Sequence, residues 1–400
     1  MDLVLGKPSR TKGLWLRVGV VALTVVLLPA LPIAAETHDE DESPGRSFFY
    51  KEAVFSAFYS PKGTRGVPPG DMTKDHFELS PRPPGNYIGA DYVQTFNAQS
   101  WINRQALPDW FPLTAMDLHP RLVYDRMEDG TGLEPIKFAP QDFWFRFNPE
   151  GMDRFTLRVG EFVIPYGMNP VMAPRQRFLL PLEGTDLGLK WDWGVSLKGP
   201  AAEYDWEVAA TIGSGEAVHS PDWFGGAEDR TYLLTGRFGT PTYWDLQYGL
   251  SFLYGDLPTV RAVKVMDDRS ISRWRLGADQ LYKYGTYLMM GTQMTFGQDG
   301  FQGDGRLVGI TGGETAEVFG GLAWADWIVP MHQDLRFAVQ FESVIRDLGT
   351  SNSDDTAGIF EIGYSILTQV SAMLDYRADV NRSMGKDDHE IFLTLVYYGQ

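Results

Sequence analysis

The chain of 400 residues contains no cysteine. That excludes a disulfide framework, a thiolate metal site, a C-x-x-C-H haem attachment and a lipidated N-terminal cysteine. A basic surplus is also missing: 35 Lys and Arg stand against 52 Asp and Glu, a formal net charge of -17. Nucleic acid is a poor partner for such a chain, because phosphate binders carry a basic face and none is present here. Beyond the N-terminal region no run approaches the 18 or more consecutive apolar residues that a membrane helix requires. Local catalytic signatures are absent too. The six histidines are scattered, with no H-E-x-x-H, and Ser214 in "IGSGE" does not sit in G-x-S-x-G. The expectation is a non-enzymatic protein without cofactor or metal. The loop "FGQDGFQGDGR" has Asp and Gly suited to hard cations, but without a regular repeat it reads as a hairpin tip.

What is present begins at the N-terminus. Lys7, Arg10, Lys12 and Arg17 precede the apolar "VGVVALTVVLLPALPIAA", which closes on Ala34 and Ala35 before the acidic "ETHDEDESPG". This order of charge, apolar run and small residues predicts a secretory signal peptide over 1-35, and Pro29 and Pro32 favour cleavage over a retained anchor. An acidic segment, 36-46, would follow on the far side of the inner membrane. Residues 47-400 remain to be placed.

Composition suits alternation: 14% aromatic residues and 43 Gly accompany a mean hydropathy of only -0.22. In "LGLKWDWGVSLKG", Leu187, Leu189, Trp191, Trp193, Val195 and Leu197 oppose Gly188, Lys190, Asp192, Gly194, Ser196 and Lys198. A period of two is the mark of a strand wet on one face only. The same pattern recurs along the chain, giving strands over 47-60, 86-97, 113-127, 136-148, 154-167, 185-199, 204-213, 230-240, 244-255, 271-284, 286-298, 314-330, 334-347, 357-368, 372-382 and 389-398. The first alternates poorly and would also suit a helix, and the link 98-112 is too long for a turn and breaks the parity.

Very short links such as "PAAE" and "MHQ" alternate with long ones at 168-184, 214-229, 256-270 and 299-313. Tight turns at one end and long loops at the other predict a transmembrane antiparallel β-barrel of about 16 strands in a Gram-negative outer membrane. A β-sandwich would share the alternation, but not the signal peptide, the strand length or the loop asymmetry. Phe147, Phe155, Tyr204, Trp206, Phe238, Trp244, Tyr284 and Trp327 fall near the short-turn ends and fit an interfacial aromatic girdle facing outer-membrane lipid. The chain ends "LVYYGQ", so Tyr398 stands in for the terminal aromatic residue of such barrels.

A barrel this wide cannot be filled by its own side chains, so its interior should be a polar channel. The pore-lining candidates are Arg146, Arg158, Lys190, Asp192, Lys198, Asp205, Glu207, Arg237, Asp245, Arg273, Arg275, Asp279, Lys283, Arg336, Glu342, Asp375, Arg377 and Asp379. Two readings stand. Arg146, Arg158 and Lys190, with Arg237, Arg273 and Arg275, would make parts of the wall favour anions; alternatively these charges pair with neighbouring acids and only solvate the lumen.

The strand "RFTLRVGEFVIPYG" (154-167), followed by "DLGLKWDWGVSLKG" and "YDWEVAATIGSGE", resembles the corresponding segment of phosphate-selective-porin-like (porin O/P-like) outer-membrane proteins over about 60 residues. The resemblance implies a general or anion-preferring porin for passive diffusion of small hydrophilic solutes, assembled as a homotrimer. It carries over no anion-binding residue. It also makes the third long loop, "MNPVMAPRQRFLLPLEG", a constriction, with Arg175, Arg177 and Glu183 as its charges, although an ordinary external loop fits as well. A rival reading is a barrel that sheathes a periplasmic multihaem cytochrome in an electron conduit; a third is a structural or adhesive surface protein.

Overall fold

The structure, a computed structural model, describes residues 47-60, 76-79, 86-96, 101-108, 112-124, 136-148, 155-168, 191-213, 231-258, 270-301, 315-347, 352-381 and 386-399. In chain order the elements are β1 (Ser47–Ser60), β2 (His76–Leu79), β3 (Asn86–Thr95), α1 (Trp101–Ala106), β4 (Leu113–Tyr124), β5 (Ile136–Phe147), β6 (Thr156–Val163), β7 (Trp191–Ala201), β8 (Tyr204–Thr211) and β9 (Tyr232–Gly239). There follow β10 (Leu246–Pro258), β11 (Ser270–Tyr284), β12 (Leu288–Phe301), β13 (Thr315–Val329), β14 (His332–Asp347), β15 (Asn352–Leu367), β16 (Val370–Asn381) and β17 (Lys386–Gly399).

From β3 onward each strand pairs antiparallel with the next, and β1 closes the sheet against β17, from Lys51 opposite Gly399 to Tyr59 opposite Ile391. The short β2 and the longer β3 share the other edge of β1, β3 along Ser47 to Val54 and β2 along Ala57 to Ser60. The result is a closed antiparallel barrel of 16 strands. Closure pairs the first strand with the last, so the backbone hydrogen bonds of the sheet are made largely within the wall, which is what strands in hydrocarbon require.

The two faces separate as the alternation predicts. Leu250 (65% exposed), Ile88 (60%) and Leu276 (56%) look outward, while Gln247, Ser251, Arg275 and Asp279, on the same two strands as Leu250 and Leu276, look inward and are buried. At the short-turn end, ring pairs follow one another around the wall: Phe155 with Trp206 at 5.9 Å, Tyr204 with Phe238 at 5.3 Å, and Trp327 with Phe337 at 5.9 Å between centroids. Tyr and Trp prefer such an interfacial level because one end of the ring is apolar and the other wet, and the phenylalanines pack against them.

The strand expected over 47-60 is present as β1. Other expectations need correction. The link after β3 does not break the up-and-down order; it is a turn-side connection enlarged by α1. The Asn103 side chain holds it to the wall, donating to the Leu113 carbonyl at 3.0 Å and accepting from the Leu113 amide at 2.8 Å. The strand expected over 154-167 ends at Val163, because the chain then turns inward. Asp245 lies in the turn before β10 rather than in the strand. Val195 and Leu197 are exposed as expected of a lipid face, but Trp191 and Trp193 are buried. Trp193 packs 5.9 Å from Phe143, and the two tryptophans pair with Val163 and Glu161 at the point where β6 ends. Leu187 and Leu189 lie outside the described residues.

Candidate functional site

After Val163 the chain leaves the ladder, and residues 164 to 168 lie against the inner face of β9 to β12. The Tyr166 amide donates to the Ile164 carbonyl at 2.9 Å, closing a three-residue turn around Pro165. Gly167 then takes φ +55°, a conformation open to glycine at little cost. Three bonds tie this segment to the far wall. Tyr166 Oη donates to Thr295 Oγ1 (3.2 Å), the Gly167 amide to Ser251 Oγ (3.1 Å), and the Met168 amide to Gln293 Oε1 (3.0 Å).

The seat is built from small residues. Ser251, Gly277 and Thr295 are successive ladder partners on β10, β11 and β12. A Cβ on Gly277 would lie 2.6 Å from Ser251 Oγ and 2.9 Å from Tyr166 Oη, so the recess exists only because that side chain is missing. Around it, Ile164 and Tyr166 pack with Leu233, Leu253 and Leu257, and Met168 joins a buried group that includes Leu281, Leu322 and Trp324. The inner surface is therefore not uniformly polar: an apolar sector receives the in-folded segment.

The lumen-facing charges are largely paired across strands. Arg237 Nε and Nη2 donate to Asp279 at 3.1 and 2.7 Å, reaching over β10 where Gly249 leaves room; a Cβ there would lie 2.6 Å from the guanidinium carbon. Arg273 Nε and Arg275 Nη2 both meet Asp299 Oδ1, at 2.9 and 2.8 Å. Arg158 binds Glu207 at 2.5 Å and Ser196 at 3.3 Å, and its guanidinium lies 4.3 Å from the centre of the Phe162 ring. Arg336 grips Asp326 with two bonds of 2.6 Å, and Lys198 stands 3.7 Å from Asp205. Such charge-assisted bonds offset the cost of holding ions against a low-dielectric wall.

The remaining candidates divide by position. Asp192 is buried and accepts from Thr211 Oγ1 (2.7 Å) and from the amides of Gly213 (2.9 Å) and Trp193 (3.0 Å), so it braces the end of β8. Arg146 is the ladder partner of Arg158. Asp245 and Lys283 meet at the short-turn end, where the Lys283 amide donates to the Asp245 carbonyl at 2.8 Å. Glu342 accepts from Gln340 at 3.1 Å. Asp375 pairs in register with Glu361, and Arg377 with Ile359 and Glu390. Asp379 lies on β16 opposite Ala357, with its side chain outside the described residues. Lys190, Arg175, Arg177 and Glu183 also lie outside the described residues.

Sequence reasoning missed Asp299, which answers two arginines, and the seat residues Tyr166, Ser251, Gln293 and Thr295. It also missed a buried group on β1 and β4, in which Glu52 Oε1 meets His119 Nε2 (2.5 Å) and Arg121 Nε (2.9 Å) while the Arg121 guanidinium lies 4.0 Å from the Tyr87 ring centre. One signal was available. Leu253 and Leu257 occupy the face of β10 that otherwise carries Gln247, Gly249, Ser251 and Gly255, and an apolar pair on a wet face implies something apolar lying against it.

No family model and no curated protein matches the sequence. Solved structures do match in fold. The outer membrane channel DcaP of Acinetobacter baumannii superposes with a TM-score of 0.58 at 12% identity, over 89% of this chain and 98% of that one. The anion-selective porin of Comamonas acidovorans gives 0.56 at 8% identity, over 88% and 99%. The trimer form of OmpT, an outer membrane protein of Vibrio cholerae, gives 0.57 at 10% identity, over 89% and 99%. The fold is that of the outer-membrane porin barrels.

Proposed function

We propose that this chain is an outer-membrane channel through which small hydrophilic solutes and ions diffuse passively, exported by the signal segment 1-35 and narrowed by its third long loop. The observation that carries the reading is the segment 164-168, seated on the inner face of β10 to β12 within a closed barrel. A lumen narrowed by its own chain sorts solutes by size and requires no catalytic step and no cofactor.

The pairing of charges bears on selectivity. Arg237, Arg273 and Arg275, the group expected to attract anions, are answered by Asp279 and Asp299. Arg273 and Arg275 share one carboxylate and all three arginines are held in the wall, which supports a weaker anion preference than their number suggests. The in-folded segment also favours the channel over a sheath for a multihaem cytochrome, since it takes up lumen that a partner would occupy. A trimeric neighbour of the same fold supports a homotrimer. Purified protein refolded into planar bilayers should give discrete ion-conducting steps. A protein that migrates as a folded barrel on gels yet gives no steps would refute the channel.

A further inference from the structure

We propose that Glu361 on β15 and Asp375 on β16 share one proton, forming a carboxyl–carboxylate bond on the inner wall that makes the stability of the barrel fall as the medium turns alkaline. The two residues are direct ladder partners on the inward face, 0% and 5% exposed. Partners on adjacent strands hold their Cβ atoms about 5 Å apart, so two acidic side chains there meet carboxyl to carboxyl, and like charges so placed destabilise a sheet. Among the described residues no donor reaches either oxygen of Glu361 or Oδ1 of Asp375.

The surrounding charges do not relieve the pair. Arg336 on β14 stands 4.0 Å from Glu361, because its guanidinium is already held by Asp326 of β13 through two bonds of 2.6 Å. Gln340 on the same strand donates its amide to Glu342, itself acidic, at 3.1 Å. Arg377 on β16 stands in register with Glu390 of β17, a further carboxylate. Beside the pair, a Cβ on Gly363 would lie 3.7 Å from both Glu361 Oε1 and Met373 Cγ, so that side offers an apolar neighbour and no cation. Among the described residues no three carboxylates or imidazoles converge as metal ligands do. A buried carboxylate without a partner is costly, and two side by side more so. A single proton removes one of the charges and supplies the missing donor: the O–H of one carboxyl donates to an oxygen of the other, a short charge-assisted bond.

The sign of the pH dependence follows. The folded barrel holds a proton that the unfolded chain, with its carboxyls apart in water, has released above the ordinary carboxylate range. Stability therefore falls with rising pH for as long as the pair keeps its proton. Wild type, Glu361→Gln and Asp375→Asn, each refolded and checked for heat-dependent gel migration, are unfolded in urea from about pH 5 to about pH 9. In either variant an amide N–H takes the place of the shared proton and does not titrate. The wild-type folded-to-unfolded ratio should fall more steeply than the variants', by up to about tenfold per pH unit. Equal slopes overturn the shared proton, and so does a wild-type loss that added calcium reverses, since the pair would then hold a metal ion. The wild type alone gives a second measurement, independent of whether the variants fold: its infrared spectrum at neutral pH should carry the band of a protonated carboxyl, and a spectrum without it overturns the proposal. Both readouts report on folding and protonation, so neither outcome touches the channel reading.

Discussion

Replacing Gly277 by valine should unseat the segment 164-168, which the channel reading makes the constriction. The new Cβ would lie 2.6 Å from Ser251 Oγ and 2.9 Å from Tyr166 Oη, and neither atom can stay where it is. Three hydrogen bonds at about 1 kcal/mol each and a buried tyrosine ring at about 2 kcal/mol hold the segment with roughly 5 kcal/mol. Valine removes the two bonds that meet at the recess, about 2 kcal/mol, and adds an overpacking cost of about 1–3 kcal/mol. Most of the seating energy is then gone, and the seated and released forms become comparable in population. The barrel itself should survive, because position 277 faces the lumen and its neighbours Leu276 and Ala278 keep the lipid face. Single-channel recording should show a larger, noisier conductance, and liposome swelling should admit larger sugars. Wild-type conductance and size limit in a correctly folded Gly277→Val protein would refute the seat.

Two further outcomes test the wall. Asp279→Ala leaves the Arg237 guanidinium buried without its carboxylate, and should cost about 3–5 kcal/mol in urea unfolding followed by gel mobility; stability within error of wild type would mean that the pair is not sealed. Leu250→Arg places a charge on the most exposed outward position of β10 and should cost about 2–4 kcal/mol if that position lies at the bilayer midplane, whereas an unchanged midpoint in lipid would remove it from the hydrocarbon.

The strands were legible because each had to be oily on one side and wet on the other, and a period of two survives even in short elements. Residues 244-255 illustrate this: Leu246, Tyr248, Leu250 and Phe252 declare their face without help from the rest of the chain. The segment after β6 was not legible by the same rule. Val163, Pro165 and Gly167 against Ile164 and Tyr166 still look like alternation, so the strand reads on to Gly167. What ends it is tertiary: Pro165 permits a tight turn, Gly167 a left-handed residue, and Leu233, Leu253 and Leu257 supply an apolar surface on strands far away in sequence. Charge pairing was invisible for a related reason. Arg237 and Asp279 sit 42 residues apart on strands that are not even neighbours, and their contact depends on the missing side chain of Gly249.

That dependence explains why a count of inward charges does not reveal which of them are paired. The lipid face can hold almost no ions, so the strands send their charges inward whether or not transport needs them. Ions held against the wall must be paired or hydrogen-bonded, because an uncompensated one costs several kcal/mol, on the order of a large share of a domain's net stability. Antiparallel ladders place residues on adjacent strands about 5 Å apart, and glycines at 249 and 297 let arginines lie flat across them. Cross-strand pairs of this kind consume the inward charges of β9 to β12 as structural bonds.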